Sequence, residues 1–179
     1  MNICGYSPES INEGEGLRAA IFISGCRHYC PGCFSPKTWN FNYGEPFTKA
    51  RQLEIIDEIK NNPLLNGVTI LGGDPFFSAE EVSGFLDLLR LKAGPIPVWI
   101  YSGYTFEELT AQPGSAEYAL LSRCEVLVDG RFIEEMRDPS LRYCGSSNQR
   151  LIDVPKSLAQ EKAVLWKSRF SSGLEPFSP

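Results

Sequence analysis

Apolar residues fall along this chain in two rhythms. Four short runs dense in β-branched and aromatic side chains predict buried strands: "LRAAIFIS" (17–24), Val68 to Leu71 within "GVTILGGDP", "VWIY" (98–101) and "EVLVDG" (125–130). Each run gives way to glycine or another turn residue, and "RLIDV" (150–154) predicts a last strand. Between the runs the spacing becomes helical. Leu53, Ile56 and Ile59 recur on one face of "FTKARQLEIIDEIKNNP", with Thr48 as its N-cap and Pro63 beyond its end. Val82, Phe85, Leu86 and Leu89 do the same after Ser78 and Glu81, a pair spaced as a capping box. Thr105 and Glu108 form a second such box before "FEEL", and residues 157–170 predict a weaker terminal helix.

Strand, loop and helix alternate in that order, which is the pattern of a parallel α/β sheet or barrel. Every chemically notable loop then follows the C-terminal end of a strand, the edge where such sheets place their active sites. A complete eight-stranded barrel needs about 250 residues, so 179 residues predict an incomplete (β/α) barrel, open on one side. We expect one main domain over residues 1–155, followed by a C-terminal helix and partly disordered tail over 156–179.

Composition narrows the class. Hydrophobic residues make up 42% and charged residues 22%, the balance of a globular chain. A net charge of −5 denies it the broad positive field that non-specific nucleic-acid binding needs. The apolar run "AAIFI" is far too short to span a bilayer, and no basic-then-apolar leader opens the chain, so the expected location is the cytoplasm. Six cysteines in that reducing setting point to metal or redox chemistry rather than disulfides.

Three of the six, Cys26, Cys30 and Cys33, crowd into "SGCRHYCPGCFSPKTW" directly after the first strand. Positions i, i+4 and i+7 would share one helix face, but Pro31 and Gly32 interrupt any helix there. Zinc would require a fourth ligand such as His28, the only histidine, or a distant cysteine, and no second C-x-x-C exists. Soft thiolates on a loop of small residues suit an iron–sulfur cluster better, and three of them leave one iron open to a ligand with oxygen and nitrogen donors.

The spacing Cys26-x3-Cys30-x2-Cys33 after a first strand, with Gly72-Gly73-Asp74-Pro75 after a later one, resembles the radical S-adenosylmethionine superfamily. "LGGDPF", "SGYTFEEL", "VLVDGRFIEEMRDPSLRY" and "GSSNQRLID" resemble more closely the activating proteins of anaerobic ribonucleotide reductase, and the likeness spans most of residues 12–154. The resemblance implies a radical-SAM type incomplete barrel and a [4Fe-4S] cluster on Cys26, Cys30 and Cys33. It implies S-adenosyl-L-methionine on the open iron, with contacts from Gly32, Cys33, Phe34, Gly72, Gly73 and Asp74, and weaker ones from Ser102 and Asp129. Reductive cleavage of that cofactor would install a glycyl radical on the partner, anaerobic ribonucleoside-triphosphate reductase, with a flavodoxin-like protein as electron donor. The rival readings are a radical enzyme acting on a small molecule or on another glycyl-radical enzyme, and a non-catalytic zinc or iron–sulfur interaction module. Arg18, Ser147, Asn148 and Gln149 are polar residues of unassigned task, and Cys144 stands where the family pattern commonly has arginine.

Overall fold

The computed structural model describes residues 1–168. It holds seven strands: β1 (Asn2–Ser10), β2 (Arg18–Ile23), β3 (Glu45–Pro46), β4 (Gly67–Gly72), β5 (Val98–Tyr101), β6 (Val126–Asp129) and β7 (Arg150–Asp153). Five helices accompany them: α1 (Lys49–Asn61), α2 (Ala79–Ala93), α3 (Phe106–Thr110), α4 (Ala116–Leu121) and α5 (Val154–Gln160).

One sheet runs in the order β3-β1-β2-β4-β5-β6-β7. Its centre, β2-β4-β5-β6, is parallel, as the alternation of strands and helices requires. Both flanks are antiparallel: β1 pairs β2 on one side and β7 pairs β6 on the other. The sheet does not close: among the described residues the architecture is an open seven-stranded mixed sheet, α/β as expected, in which a TIM-like barrel is not shown. Four parallel strands turn through too small an arc to meet, because closure depends on strand number, tilt and stagger together.

Helices pack against one face over Ile21, Ile23, Ile70, Ile100 and Leu127, with Ile55, Ile56, Phe85, Leu86 and Leu120 facing them. The opposite face carries a smaller cluster of Trp99, Val126 and Val128, covered by Tyr143, Cys144 and Trp166. Strands buried on both sides read as continuous apolar runs, which is why β2, β4 and β6 were legible. β1 was not. It contains Gly5, Ser7 and Pro8 and its register slips twice, features a strand tolerates next to an edge.

The helix caps divide. Thr48 accepts from the Arg51 N–H, and Thr105 with Glu108 forms the complete box. Ser78 makes no side-chain cap, because a 3-10 turn over Pro75–Ser78 leads into α2 and Asp74 caps that turn instead. Glu81 pairs with the amino group of Met1. In α1 the buried stripe is Ile55, Ile56 and Ile59, and Leu53 stays 37% exposed. The terminal helix starts earlier than predicted, at Val154, and ends at Gln160 with Glu161 left-handed at φ 53°. Residues 169–179, the rest of the expected tail, lie outside the described residues.

Candidate metal centre

All four loops expected at the C-terminal edge of the parallel strands meet there, around one open cavity of about 190 Å³. Cys26, Cys30 and Cys33 line it together with Phe34, Gly72, Gly73, Asp74 and Ser102. The cysteine loop leaves β2 at Ser24 and Gly25, the latter at φ +104° with its N–H donating to Thr38 O at 2.7 Å. That bond folds the loop back on the 3-10 turn Pro36–Trp39. Gly32, at φ +69°, completes the tight turn in which Cys33 N–H donates to Cys30 O at 3.2 Å. Only a residue without Cβ adopts that angle cheaply.

Ser35 N–H donates to Cys33 Sγ at 3.4 Å, and the backbone amides of His28 and Phe132 favour the thiolate forms of Cys26 and Cys30. Burial nevertheless pushes the Cys26 thiol up to about 11, opposed by that His28 N–H and reinforced by Asp74 and the two neighbouring cysteines. Cys30 is raised in the same way by burial, with Arg131 and the Phe132 N–H working against it. Thiolates held this close repel one another, and a bound cation removes the penalty while displacing their protons. Among the described residues no three Cys, His, Asp or Glu side chains converge on a point as one ion would need. A cubane asks for something different, since each thiolate binds a separate iron, and backbone N–H donors to sulfur are how proteins tune such clusters. The donor set fits a cluster.

The Gly72-Gly73 turn abuts this loop. A Cβ on Gly72, at φ +113°, would stand 2.5 Å from Ile23 O, and one on Gly73 would stand 2.5 Å from Gly25 O. Both glycines let two chains pass at contact distance. Asp74 is buried, with Oδ1 accepting from Phe76 N–H at 3.0 Å. Its Oδ2 accepts from Ser102 Oγ at 2.9 Å and Gly103 N–H at 2.8 Å, and lies 2.7 Å from His28 Nε2. Ser102 in turn accepts from Tyr104 N–H. The polar atoms of Asp74 and Ser102 are therefore engaged by protein.

Two expected site residues stand back from the cavity. The position a Gly32 Cβ would take is filled by the Glu134 carboxyl, 2.6 Å away. Asp129 is fully buried and bound by Arg150, at 3.0 Å from Nε and 2.5 Å from Nη2, and by the Phe106 N–H at 2.8 Å. Its neighbour Gly130 lines the cavity instead.

Tyr101 and Phe132 line the cavity without any signal in the sequence, and Gln149, whose task the sequence left unassigned, lines it as well. Phe132 packs edge-on against Phe34, with ring centroids 5.1 Å apart. The "GSSNQR" segment braces the loop that carries it: Ser146 Oγ accepts from Ile133 N–H, Asn148 Nδ2 donates to Arg131 O, and Gln149 Nε2 donates to Gly130 O. Polar residues clustered between two strands were the available signal. Arg18 belongs to the opposite end of the sheet, where it donates to Thr69 Oγ1 and to the carbonyls of Val68 and Pro97 beneath Trp99. The remaining cysteines, Cys4, Cys124 and Cys144, do not line the cavity.

An open α/β sheet with three thiols at the carboxyl edge of its parallel strands defines a cluster-binding protein. The family model described as "4Fe-4S single cluster domain" matches residues 12–152. The chain is 37% identical over 152 residues to the anaerobic ribonucleoside-triphosphate reductase-activating protein of Escherichia coli (strain K12), covering 83% of this chain and 96% of that one. It is 36% identical to the protein of that name from Haemophilus influenzae, with the same coverage. Against that of Enterobacteria phage T4 it is 29% identical over 84% of this chain and 93% of that one. The chain belongs to the 4Fe-4S single cluster family, in its branch of anaerobic ribonucleoside-triphosphate reductase-activating proteins.

Proposed function

We propose that this protein activates an anaerobic ribonucleoside-triphosphate reductase as a radical S-adenosylmethionine enzyme, with Cys26, Cys30 and Cys33 holding a [4Fe-4S] cluster. One observation carries the reading: Cys26, Cys30 and Cys33 share a cavity with the Gly72-Gly73 turn. A cluster held by Cys26, Cys30 and Cys33 would supply an electron and an open coordination position for S-adenosylmethionine, whose reductive cleavage would let a glycine of the partner lose a hydrogen atom.

The chain's own residues position these groups. Gly72 and Gly73 present backbone rather than side chain to the cavity, leaving room for the methionyl end of the cofactor. Phe34, 65% exposed beneath the Arg137 guanidinium, offers an apolar wall for the adenine end, and Gly32 keeps the loop beside it tight. Asp74 and Ser102 set the shape of the turn. The sheet is unclosed, and its open side admits a polypeptide loop. Productive transfer needs reacting atoms within about 3 to 3.5 Å, which the docked glycine loop provides. A flavodoxin-like donor is the implied source of the electron, and the cytoplasm the implied location; no helix among the described residues is long and apolar enough to cross a membrane.

The test is anaerobic incubation with S-adenosylmethionine, a reductant and the reductase, read by electron paramagnetic resonance. We expect a glycyl radical on the reductase in proportion to the 5′-deoxyadenosine formed. Zinc in place of iron, or cofactor cleavage that leaves no radical on the reductase, would overturn the reading.

A further inference from the structure

His28 sits two residues after one cluster cysteine and two before the next, and its side chain is 4% exposed. A carboxylate oxygen can only accept, so the 2.7 Å contact with Asp74 Oδ2 places the ring proton on Nε2. The imidazole is gripped by the rings of Phe77, at 5.1 Å, and Tyr104, at 4.7 Å and edge-on. Space for it comes from Gly103, where a Cβ would stand 2.4 Å from the ring.

His28 therefore belongs to the cysteine loop through its backbone and meets Asp74 through its side chain. Asp74 continues the Gly72-Gly73 turn and gathers Ser102 and Gly103 from the loop after β5 onto the same oxygen. Three strand-end loops converge on one carboxylate. Without that link, the cysteine loop would be held to the Gly72-Gly73 turn through backbone bonds near its entry, such as Asp74 N–H to Gly25 O.

We propose that His28 is a positioning residue: its hydrogen bond to Asp74 locks the Cys26–Cys30 segment against the Gly72-Gly73 turn and so fixes the face the cluster presents to its second ligand. The inference rests on the cluster assignment made above. Outer hydrogen bonds of this kind orient metal ligands, and their loss typically costs about 10- to 100-fold in metal affinity or activity.

Three variants of the full-length protein, reconstituted with iron and sulfide, test this. His28→Gln keeps an amide N–H on a stem long enough to reach Asp74. His28→Asn keeps the amide but falls short, and His28→Leu fills the space with no donor. Two readouts apply: the rate at which a chelator strips iron, and the change in the reduced cluster's resonance spectrum on adding S-adenosylmethionine. We expect His28→Leu and His28→Asn to release iron about tenfold faster than wild type and to blunt the spectral change, with His28→Gln close to wild type in both. Equal release rates in all four proteins, or equally fast release from all three variants, would overturn the positioning role. A wild-type cluster whose spectrum ignores S-adenosylmethionine would instead sink the functional reading, while the chelator series still decides the role of His28.

Discussion

A Cβ on Gly73 would stand 2.5 Å from the carbonyl oxygen of Gly25, one residue before Cys26. The turn after β4 and the loop after β2 are thus packed backbone to backbone, and the glycine serves that contact as well as the cavity. Gly73→Ala should displace Cys26 and cost on the order of 1–3 kcal/mol of stability, with less iron bound per chain. Gly84→Ala, inside α2 with nothing within 4 Å, should stabilise by about 0.5–1 kcal/mol and leave iron unchanged. Urea unfolding and iron analysis of the two variants check both statements. Normal iron in Gly73→Ala would mean that the loop yields without moving its thiols.

The six cysteines divide by position. Alanine at Cys26, Cys30 or Cys33 should abolish cluster assembly. Alanine at Cys4, whose thiol donates to Phe22 O, or at Cys124, whose thiol donates to Leu121 O, should leave iron near wild type, as should alanine at Cys144. Iron and sulfide content after anaerobic reconstitution decides the matter, and a comparable loss at any of the last three would refute the division.

Arg150 is the bidentate partner of buried Asp129 and also binds Glu107. Removing it strands a carboxylate out of reach of water, so Arg150→Ala should cost about 3 kcal/mol. Lysine cannot reproduce the fork and should recover only part of the loss. Because β6 and β7 are joined at this point, the loop bearing Phe132 should loosen, and hydrogen exchange at 130–149 should rise. Unchanged exchange there would show that the "GSSNQR" brace holds the loop unaided.

Burial pushes the Cys144 thiol up to about 11, and Asp129 adds to the shift; Cys124 is raised by burial as well. A thiol whose pKa is higher in the folded chain contributes its full share below the unfolded value near 9. That share is lost as pH rises through the folded value, because the unfolded chain releases its proton first. The protein should therefore lose stability between about pH 9 and 11, and Cys144→Ala should lose less over that interval. Urea midpoints measured at pH 8, 9, 10 and 11 for both proteins test the sign, and parallel curves would show that Cys144 contributes nothing.

The apolar runs of β2, β4, β5 and β6 determined the parallel centre of the sheet, because strands buried on both faces carry that composition into the sequence. They determined with it that the cysteine, Gly-Gly-Asp-Pro, Ser-Gly-Tyr and Asp-Gly loops share one edge. Cysteine spacing around Pro31 and Gly32 likewise declared a loop, since no helix survives that pair. Other features depended on partners distant in sequence. β1 is a strand only because β2 and β3 flank it. Ser78 and Glu81 have the spacing of a cap, yet a 3-10 turn capped by Asp74 takes its place. Asp74 and Asp129 look alike as acidic residues at the carboxyl ends of strands. One gathers three loops around the cavity, and the other is consumed by an arginine 21 residues on. Whether a buried carboxylate meets a ligand or a guanidinium is settled by which donors the fold brings within 3 Å, and local sequence carries no record of that distance.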